Sequence, residues 1–171
     1  MVITTERLFI RPAQTDDWRA VQEIWIDFGR SEYAGYDRHG STEDQAVRHR
    51  VEQWTHADGI TEMFLAVCLS GTVIGYISLH GDGQTYEIGY CFHSGYHRHG
   101  YAKESISAVL DELGRRGADR ILAGTAAANI PSVRLLESLG FTRIGTQHVS
   151  FYKDSNGNDI FFEGGVFLKE L

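Results

Sequence analysis

The stretch HSGYHRHGYAKE, from His93 to Glu104, gathers three histidines and an arginine around a glycine. These residue types could bind a metal ion or an anion. An apolar run typical of a strand precedes the stretch, and apolar residues at helical spacing begin near Gly100. The N-terminus of a helix presents backbone N–H groups without intrahelical partners, and its dipole favours negative charge. The position therefore favours a bound phosphate or pyrophosphate.

The residues within this stretch narrow the choice between an anion and a metal. Gly100 would let a ligand approach the backbone, and Arg98 would add positive charge. The glycine is not followed by Lys-Ser or Lys-Thr as in a P-loop, and the Rossmann glycine triplet is absent. His93, His97 and His99 would converge on zinc only if the loop folded back on itself, and neither cysteine completes a tetrahedral set. We therefore expect an anion site and no metal, with exposed histidines that have no role as the alternative.

Composition and charge limit the classes of protein that the chain can represent. Its 171 residues predict a single domain spanning residues 1–171, because two cores in such a chain would each be marginal. The formal net charge of -7 disfavours nucleic acid as the main partner. No apolar run is long enough to cross a bilayer and the N-terminus has no signal core, so we expect no membrane association and a cytoplasmic location.

Apolar periodicity predicts the elements that position the stretch. RLFIRP predicts a first strand, and two amphipathic helices follow it. MFLAVCL, TVIGYISL and YEIGYCF, joined by short turns, predict an antiparallel meander. The next helix and RILAGTA complete a strand, helix, strand unit, which pairs its strands in parallel. With a short helix in NIPSVRLLESLGF and a final hairpin, we expect an α/β fold: a mixed, mostly antiparallel central sheet, one parallel strand pair and about four flanking helices.

Nearly the whole chain resembles the GNAT superfamily of N-acetyltransferases, most closely the branch that contains bacterial ribosomal-protein N-terminal acetyltransferases. TERLFIRP is similar to the first strand of that branch, YEIGYCF to its fourth strand and NIPSVRLLESLGF to its final motif. The acyl-CoA loop of the family reads Gln or Arg, two residues, Gly, one residue, then Gly or Ala. His97, Gly100 and Ala102 occupy these positions, and His97 departs from the usual Gln or Arg.

The resemblance implies an acetyl-CoA-dependent N-acetyltransferase with the GNAT fold, which transfers the acetyl group directly to a protein N-terminus or a small-molecule amine. Loop amides would hold the CoA pyrophosphate, and the end of the fourth strand would pair with the pantetheine. A backbone N–H near Phe92 would stabilise the oxyanion that forms during transfer. The implied cofactor-binding residues are Cys91, Phe92, His93, His97, Arg98, His99, Gly100, Tyr101, Ala102, Lys103, Asn129 and Ser132.

The resemblance also implies catalytic residues. Glu87 matches a carboxylate that many members use as the base, or place near that role, when the amine loses its proton. A Tyr seven residues after the motif Asn often protonates the CoA thiolate, but Leu136 stands at that position here. Ser132 is therefore a candidate acid, with Tyr152 and a water molecule as alternatives. The ordinary alternatives are a solvent-facing strand residue for Glu87 and a helix cap for Asn129.

The acceptor and the partners are less constrained. Tyr33 and Tyr36 lie among acidic residues between the first two helices, in the region that shapes the acceptor pocket of relatives, and would suit a cationic amine together with Glu87. A solvated acidic loop is the alternative. The missing Tyr also leaves open an acyl-CoA-binding sensor module without catalysis. The last strand-like run, DIFFEGGVFL, could pair with its copy in a homodimer or stand as an edge strand protected by its charges.

Overall fold

The computed structural model describes residues 1–37 and 40–171. In these residues a single sheet is flanked by four α-helices. The strands are β1 (Ile3–Thr4), β2 (Leu8–Pro12), β3 (Glu62–Leu69), β4 (Thr72–Gly81), β5 (Thr85–Phe92), β6 (Arg120–Ala126), β7 (Thr142–Lys153) and β8 (Asp159–Glu170). The helices are α1 (Trp18–Gly29), α2 (Asp44–Thr55), α3 (Tyr101–Arg115) and α4 (Ile130–Ser138).

The strand order in the sheet is β1-β2-β3-β4-β5-β6-β8-β7. Neighbouring strands are antiparallel except β5 and β6, which α3 connects and which are parallel. The predicted mixed sheet with one parallel pair is therefore confirmed, as are its meander and its four helices. Strand β8 lies between β6 and β7, but β6 pairs only with Gly164–Glu170, whereas β7 pairs with Asp159–Leu168. Pairing of the C-terminal strand with a copy could therefore involve only its first half, and the homodimer stays a prediction.

Helices cover the two faces of the sheet and bury different side chains. On one face, α3 and α4 pack against the centre of the sheet through Ile106, Leu113 and Leu136, which are fully buried. On the other face, α1 and α2 bury Trp25 and Trp54 against aromatic side chains of β3 and β4. Because side chains of a strand alternate between faces, each central strand contributes to both layers. Of the described helices, none is both long enough and apolar enough to span a membrane.

The parallel strands β5 and β6 separate along their length. Their pairing ends at Ile88 and Ala123, whereas β5 pairs with β4 as far as Phe92 opposite Gly75. Strand β6 meanwhile continues to pair with β8 up to its last residue. Each strand thus stays with its outer neighbour while the two diverge from each other. We call the resulting opening, bordered by Gly89–Phe92 and by the end of β6, the β5–β6 gap.

Candidate active site

The loop between β5 and α3 has the backbone geometry of an anion cradle. A short helical turn at Ser94–Tyr96 is followed by Arg98 and Gly100, both with left-handed backbone, at φ 64° and 82°. Gly100 is the residue immediately before α3. The first backbone N–H groups of an α-helix have no intrahelical acceptor, so those after Gly100 are available to a ligand. The predicted strand-to-helix turn and its position are confirmed.

An ion pair from the N-terminal segment holds the start of α3. The Arg7 Nε–H donates to Glu104 Oε2 at 2.7 Å, and Arg7 also donates to the His99 carbonyl at 2.9 Å. The guanidinium lies over the Tyr101 ring at 4.6 Å. Burial favours the neutral carboxyl, but hydrogen bonds from Thr5 and Arg7 outweigh it and lower the pKa of Glu104. Arg7 belongs to the TERLFIRP motif, yet the motif alone did not reveal this contact.

The three loop histidines have separate contacts. His93 Nδ1 accepts a hydrogen bond from the Gly95 N–H at 3.1 Å, and His97 Nε2–H donates to the Phe92 carbonyl at 2.9 Å. The His99 ring stacks on Tyr101, with centroids 5.6 Å apart. In residues 1–37 and 40–171, no three His, Cys, Asp or Glu side chains are arranged to hold a metal ion. The loop histidines therefore support the loop and the end of β5 in this structure.

Asp27, near the end of α1, fastens that helix to the loop. The Ser94 N–H and hydroxyl each donate to its carboxylate at 2.7 Å. Partial burial favours the neutral acid, but these two bonds and nearby histidines outweigh it and lower the pKa of Asp27. Charged acceptors form stronger hydrogen bonds than neutral ones. The contact joins α1 to the loop that precedes α3.

We expect Asp27→Asn to lower the free energy of unfolding by about 1 kcal/mol at neutral pH. Hydrogen bonds to a charged group contribute more than this when buried, but solvent screens the charge at a partly exposed site. Because the folded-state pKa lies below the ordinary value of 3.8, this contribution is complete above that value and is lost as pH falls through the folded-state pKa. Urea unfolding across the acid range measures it. The exposed Asp16→Asn is the control, and an equal, pH-independent loss in both variants would contradict the assignment.

Backbone alternation directs the Phe92 amide into the β5–β6 gap. The His93 N–H donates to the Ile74 carbonyl at 3.0 Å, so the His93 backbone faces β4. Backbone groups of successive strand residues face opposite sides, so the Phe92 N–H and C=O face the gap. The carbonyl accepts from His97, which leaves the N–H directed at the opening. This amide is in position to stabilise a negatively charged oxygen in the gap.

A pair of hydroxyl groups lies on the α3/α4 face of β5. The Tyr90 OH and Ser132 Oγ are 2.9 Å apart. The Ser132 N–H donates to Asn129 Oδ1 at 3.3 Å. Asn129 therefore caps α4, as the helix-cap alternative predicted. Burial raises the pKa of Tyr90 to about 12, although the bond with Ser132 acts in the opposite direction. Sequence reasoning missed Tyr90; its signal was the alternation of YEIGYCF, which puts it on the face that α4 covers.

The opposite face of β5 carries Glu87 and Cys91. Glu87 is exposed and lies across from His80 on β4. Cys91 is half-buried and packs against the aromatic cluster under α1 and α2, in which Trp25 Nε1–H donates to the Tyr76 hydroxyl at 3.0 Å. Burial raises the pKa of the Cys91 thiol to about 12. This thiol is therefore protonated at neutral pH and a poor nucleophile.

The segment after α1 contacts the β7–β8 hairpin. The ring centroids of Tyr36 and Phe162 are 5.2 Å apart. The Tyr152 hydroxyl donates to the Asp37 carbonyl at 2.7 Å, so Tyr152 is engaged there and not at the β5–β6 gap. The Tyr36 N–H donates a hydrogen bond to the Tyr33 carbonyl at 2.9 Å. Residues 38 and 39 of the predicted acceptor loop lie outside the described residues.

The structure brings most of the predicted site residues together. The run from Cys91 through Lys103 borders the gap and forms the cradle, with Lys103 exposed in the first turn of α3. Ser132, at the start of α4, contacts the Tyr90 hydroxyl of β5. Leu136 is fully buried. Glu87 stands on the face that α1 and α2 cover, and Tyr33 and Tyr36 lie in the segment that follows α1.

Comparison with known proteins bears on the family and the fold of the chain. The family described as acetyltransferase (GNAT) domain matches residues 7–142. An uncharacterized N-acetyltransferase of Bacillus subtilis (strain 168), YnaD, is 32% identical over 151 residues, 85% of each chain. A GNAT-family acetyltransferase from Bacillus anthracis shares 28% identity, with a TM-score of 0.80 over 99% of this chain and 98% of that one. RimL, a ribosomal L7/L12 alpha-N-protein acetyltransferase solved with coenzyme A, has the same fold, with a TM-score of 0.81 at 15% identity over 100% of this chain and 98% of its own.

Proposed function

The chain belongs to the GNAT family of acetyl-CoA-dependent acetyltransferases, and from this we propose that it transfers the acetyl group directly to a primary amine. The observation that carries the proposal is the β5–β6 gap, which leads to the cradle at the start of α3. A long, narrow cofactor with a pyrophosphate fits this combination. The N–H groups after Gly100 would bind the pyrophosphate, and the backbone of Tyr90 and Phe92 would pair with the pantetheine.

The alternation of β5 supports separate places for the two substrates. Glu87 and Cys91 project to the α1/α2 face, so the amine would approach from that side. Glu87 would accept the amine proton through a water molecule, and the Phe92 N–H would stabilise the oxyanion. The N–C bond then forms, the C–S bond breaks and its electron pair goes to sulfur. The protonated Cys91 thiol supports transfer without a covalent enzyme intermediate.

The contacts of the acceptor loop favour a small-molecule amine over a protein N-terminus. A protein acceptor requires an open groove over the sheet, whereas a small amine is best held under a closed loop. The ring contact of Tyr36 with Phe162 and the hydrogen bond from Tyr152 to Asp37 join the loop to the hairpin. Glu87 and the aromatic rings would suit a cationic acceptor. RimL itself is named as acting on a protein, so the two acceptor classes need a direct comparison.

The test compares acetyl-CoA consumption with two panels of acceptors. One panel contains polyamines, amino sugars and amino acids; the other contains peptides with different N-terminal residues. Mass spectrometry detects the acetylated product. We expect turnover with a small cationic amine. Turnover with peptides alone would refute the closed acceptor site, while tight acetyl-CoA binding without turnover of any amine would favour the sensor module.

A further inference from the structure

We infer that Tyr90 is the residue that protonates the departing CoA thiolate, and that Ser132 positions its phenol. This inference rests on the proposed acetyl transfer and assigns the acid that the sequence left open. The leaving sulfur acquires negative charge when the C–S bond breaks, so a hydroxyl donor beside it would lower the barrier.

The location of Tyr90 in β5 is the first argument. Pairing with β6 ends at Ile88, two residues earlier, so Tyr90 is on the border of the β5–β6 gap. Its backbone faces the gap, by the same alternation that directs Phe92 there. Its side chain is half-buried among the apolar residues of the α3/α4 layer. Tyr90 and the proposed oxyanion donor Phe92 are therefore two residues apart on the same edge of the opening.

The partner of Tyr90 is the second argument. Ser132 lies in the first turn of α4, which begins four residues after the end of β6. The 2.9 Å contact between the Tyr90 OH and Ser132 Oγ thus connects the β5 border of the gap to the helix that follows β6. A cofactor arm inserted between β5 and β6 would lie against this pair. No other hydroxyl pair among the hydrogen bonds of the described residues joins β5 to α4.

The face of α4 explains why the hydroxyl comes from β5. Ser132 and Leu136 are four residues apart, so they lie on the same side of the helix. Leu136 has no exposed surface and packs in the core, so it offers no donor. Tyr90 instead reaches from the sheet to α4 and brings a phenol to the turn before Leu136. The pair supplies the polar group that an apolar residue at 136 cannot.

Tyr90 has the protonation state that the role requires. A phenol is neutral at physiological pH even at its ordinary pKa of about 10, so a proton is present to donate. The hydrogen bond with Ser132 opposes the rise in pKa that burial causes, which favours donation. In the step, the C–S electron pair moves to sulfur, the Tyr90 O–H proton moves to sulfur, and the phenolate is stabilised by the Ser132 hydroxyl. Solvent returns a proton to Tyr90 after CoA leaves. The proton that Glu87 removes from the amine balances the one gained by sulfur.

The test is Tyr90→Phe, which removes one oxygen and keeps the ring. We expect kcat with acetyl-CoA to fall by about 10²-fold, the usual contribution of a general acid, while the acetyl-CoA dissociation constant changes by less than about threefold. Tyr86→Phe is the matched control, because Tyr86 lies on the same face of β5 in its paired part and donates to the Ile60 carbonyl at 2.9 Å. Its kcat should stay within about twofold of wild type.

An acetyl donor with a better leaving group separates an acid from a structural support. Selenols are much more acidic than thiols, so acetyl-seleno-CoA needs little protonation as it departs. The defect of Tyr90→Phe should therefore largely disappear with the selenoester. Ser132→Ala should lower kcat less than Tyr90→Phe and should have no further effect in the Tyr90→Phe background, since it acts through the phenol.

Three outcomes would overturn the inference. They are wild-type kcat in Tyr90→Phe, an equal defect with both donors, or the same loss in Tyr86→Phe. All three require that the wild-type protein turns over an amine. Absence of wild-type turnover would instead refute the proposed function itself, so the two failures are distinguishable.

Discussion

Gly100→Glu should abolish measurable acetyl-CoA binding, with an increase in the dissociation constant of at least about 100-fold, or about 2.8 kcal/mol. Gly100 has φ 82°, and its ideal Cβ position lies 3.4 Å from an Arg7 guanidinium nitrogen. A carboxylate there would occupy the approach to the free N–H groups of α3 and repel a pyrophosphate. Calorimetric titration with acetyl-CoA in the presence of a chelator measures the effect.

The matched control is Gly117→Glu at the other end of α3. Gly117 has φ 93°, and a Cβ there would meet no atom within 4 Å. Both substitutions impose a similar backbone strain of about 1–2 kcal/mol, and both add one negative charge. We expect Gly117→Glu to bind acetyl-CoA like the wild type. Equal affinities in the two variants would show that the cradle is not the pyrophosphate site.

Glu87→Gln should lower kcat by about 10³-fold, within the range for loss of a general base, and leave acetyl-CoA affinity unchanged. Gln keeps the size and hydrogen-bonding ability of the side chain but cannot accept the amine proton. Glu87 is exposed on the α1/α2 face of β5, away from the cradle. Initial rates with the best amine, at saturating concentrations of both substrates, measure the effect.

Glu62→Gln is the control for Glu87→Gln. Glu62 is also exposed, and its substitution removes the same charge. It lies on β3, paired with His80 of β4, which in turn pairs with Glu87 of β5. Its Oε1 is 3.7 Å from His80 Nδ1, a weak surface pair. We expect near-wild-type kcat from this variant. Similar losses in both variants would indicate that the negative charge of this face matters and that Glu87 is not the base.

The sequence predicted those parts of the fold that depend on local patterns. Strand alternation, helical spacing and turn residues gave the mixed sheet, the single parallel pair and the position of the cradle. Family resemblance added the cofactor and the reaction. Local patterns could not predict that β5 and β6 diverge. The divergence arises because β5 stays paired with β4 while β6 stays paired with β8, and β8 comes from the far end of the chain.

The contacts that complete the site join distant positions. Arg7 and Glu104 are 97 residues apart, Asp27 and Ser94 are 67 apart, and Tyr90 and Ser132 are 42 apart. No spacing rule links such pairs, so a single sequence does not reveal them. The partners of the loop histidines were equally hidden, since His93 accepts from Gly95 and His97 donates to the Phe92 carbonyl.

Strand β5 has a consequence for how the chain can change over evolutionary time. In the proposed mechanism Glu87 would face one substrate and Tyr90 and Phe92 the other, and these assignments follow from odd and even positions along one strand. Inserting or deleting one residue in β5 would exchange the two sets between the faces. Most single substitutions would alter one group, whereas such a length change would disable base, oxyanion donor and acid together. We therefore expect insertions and deletions in β5 to be tolerated less well than substitutions at several of its positions.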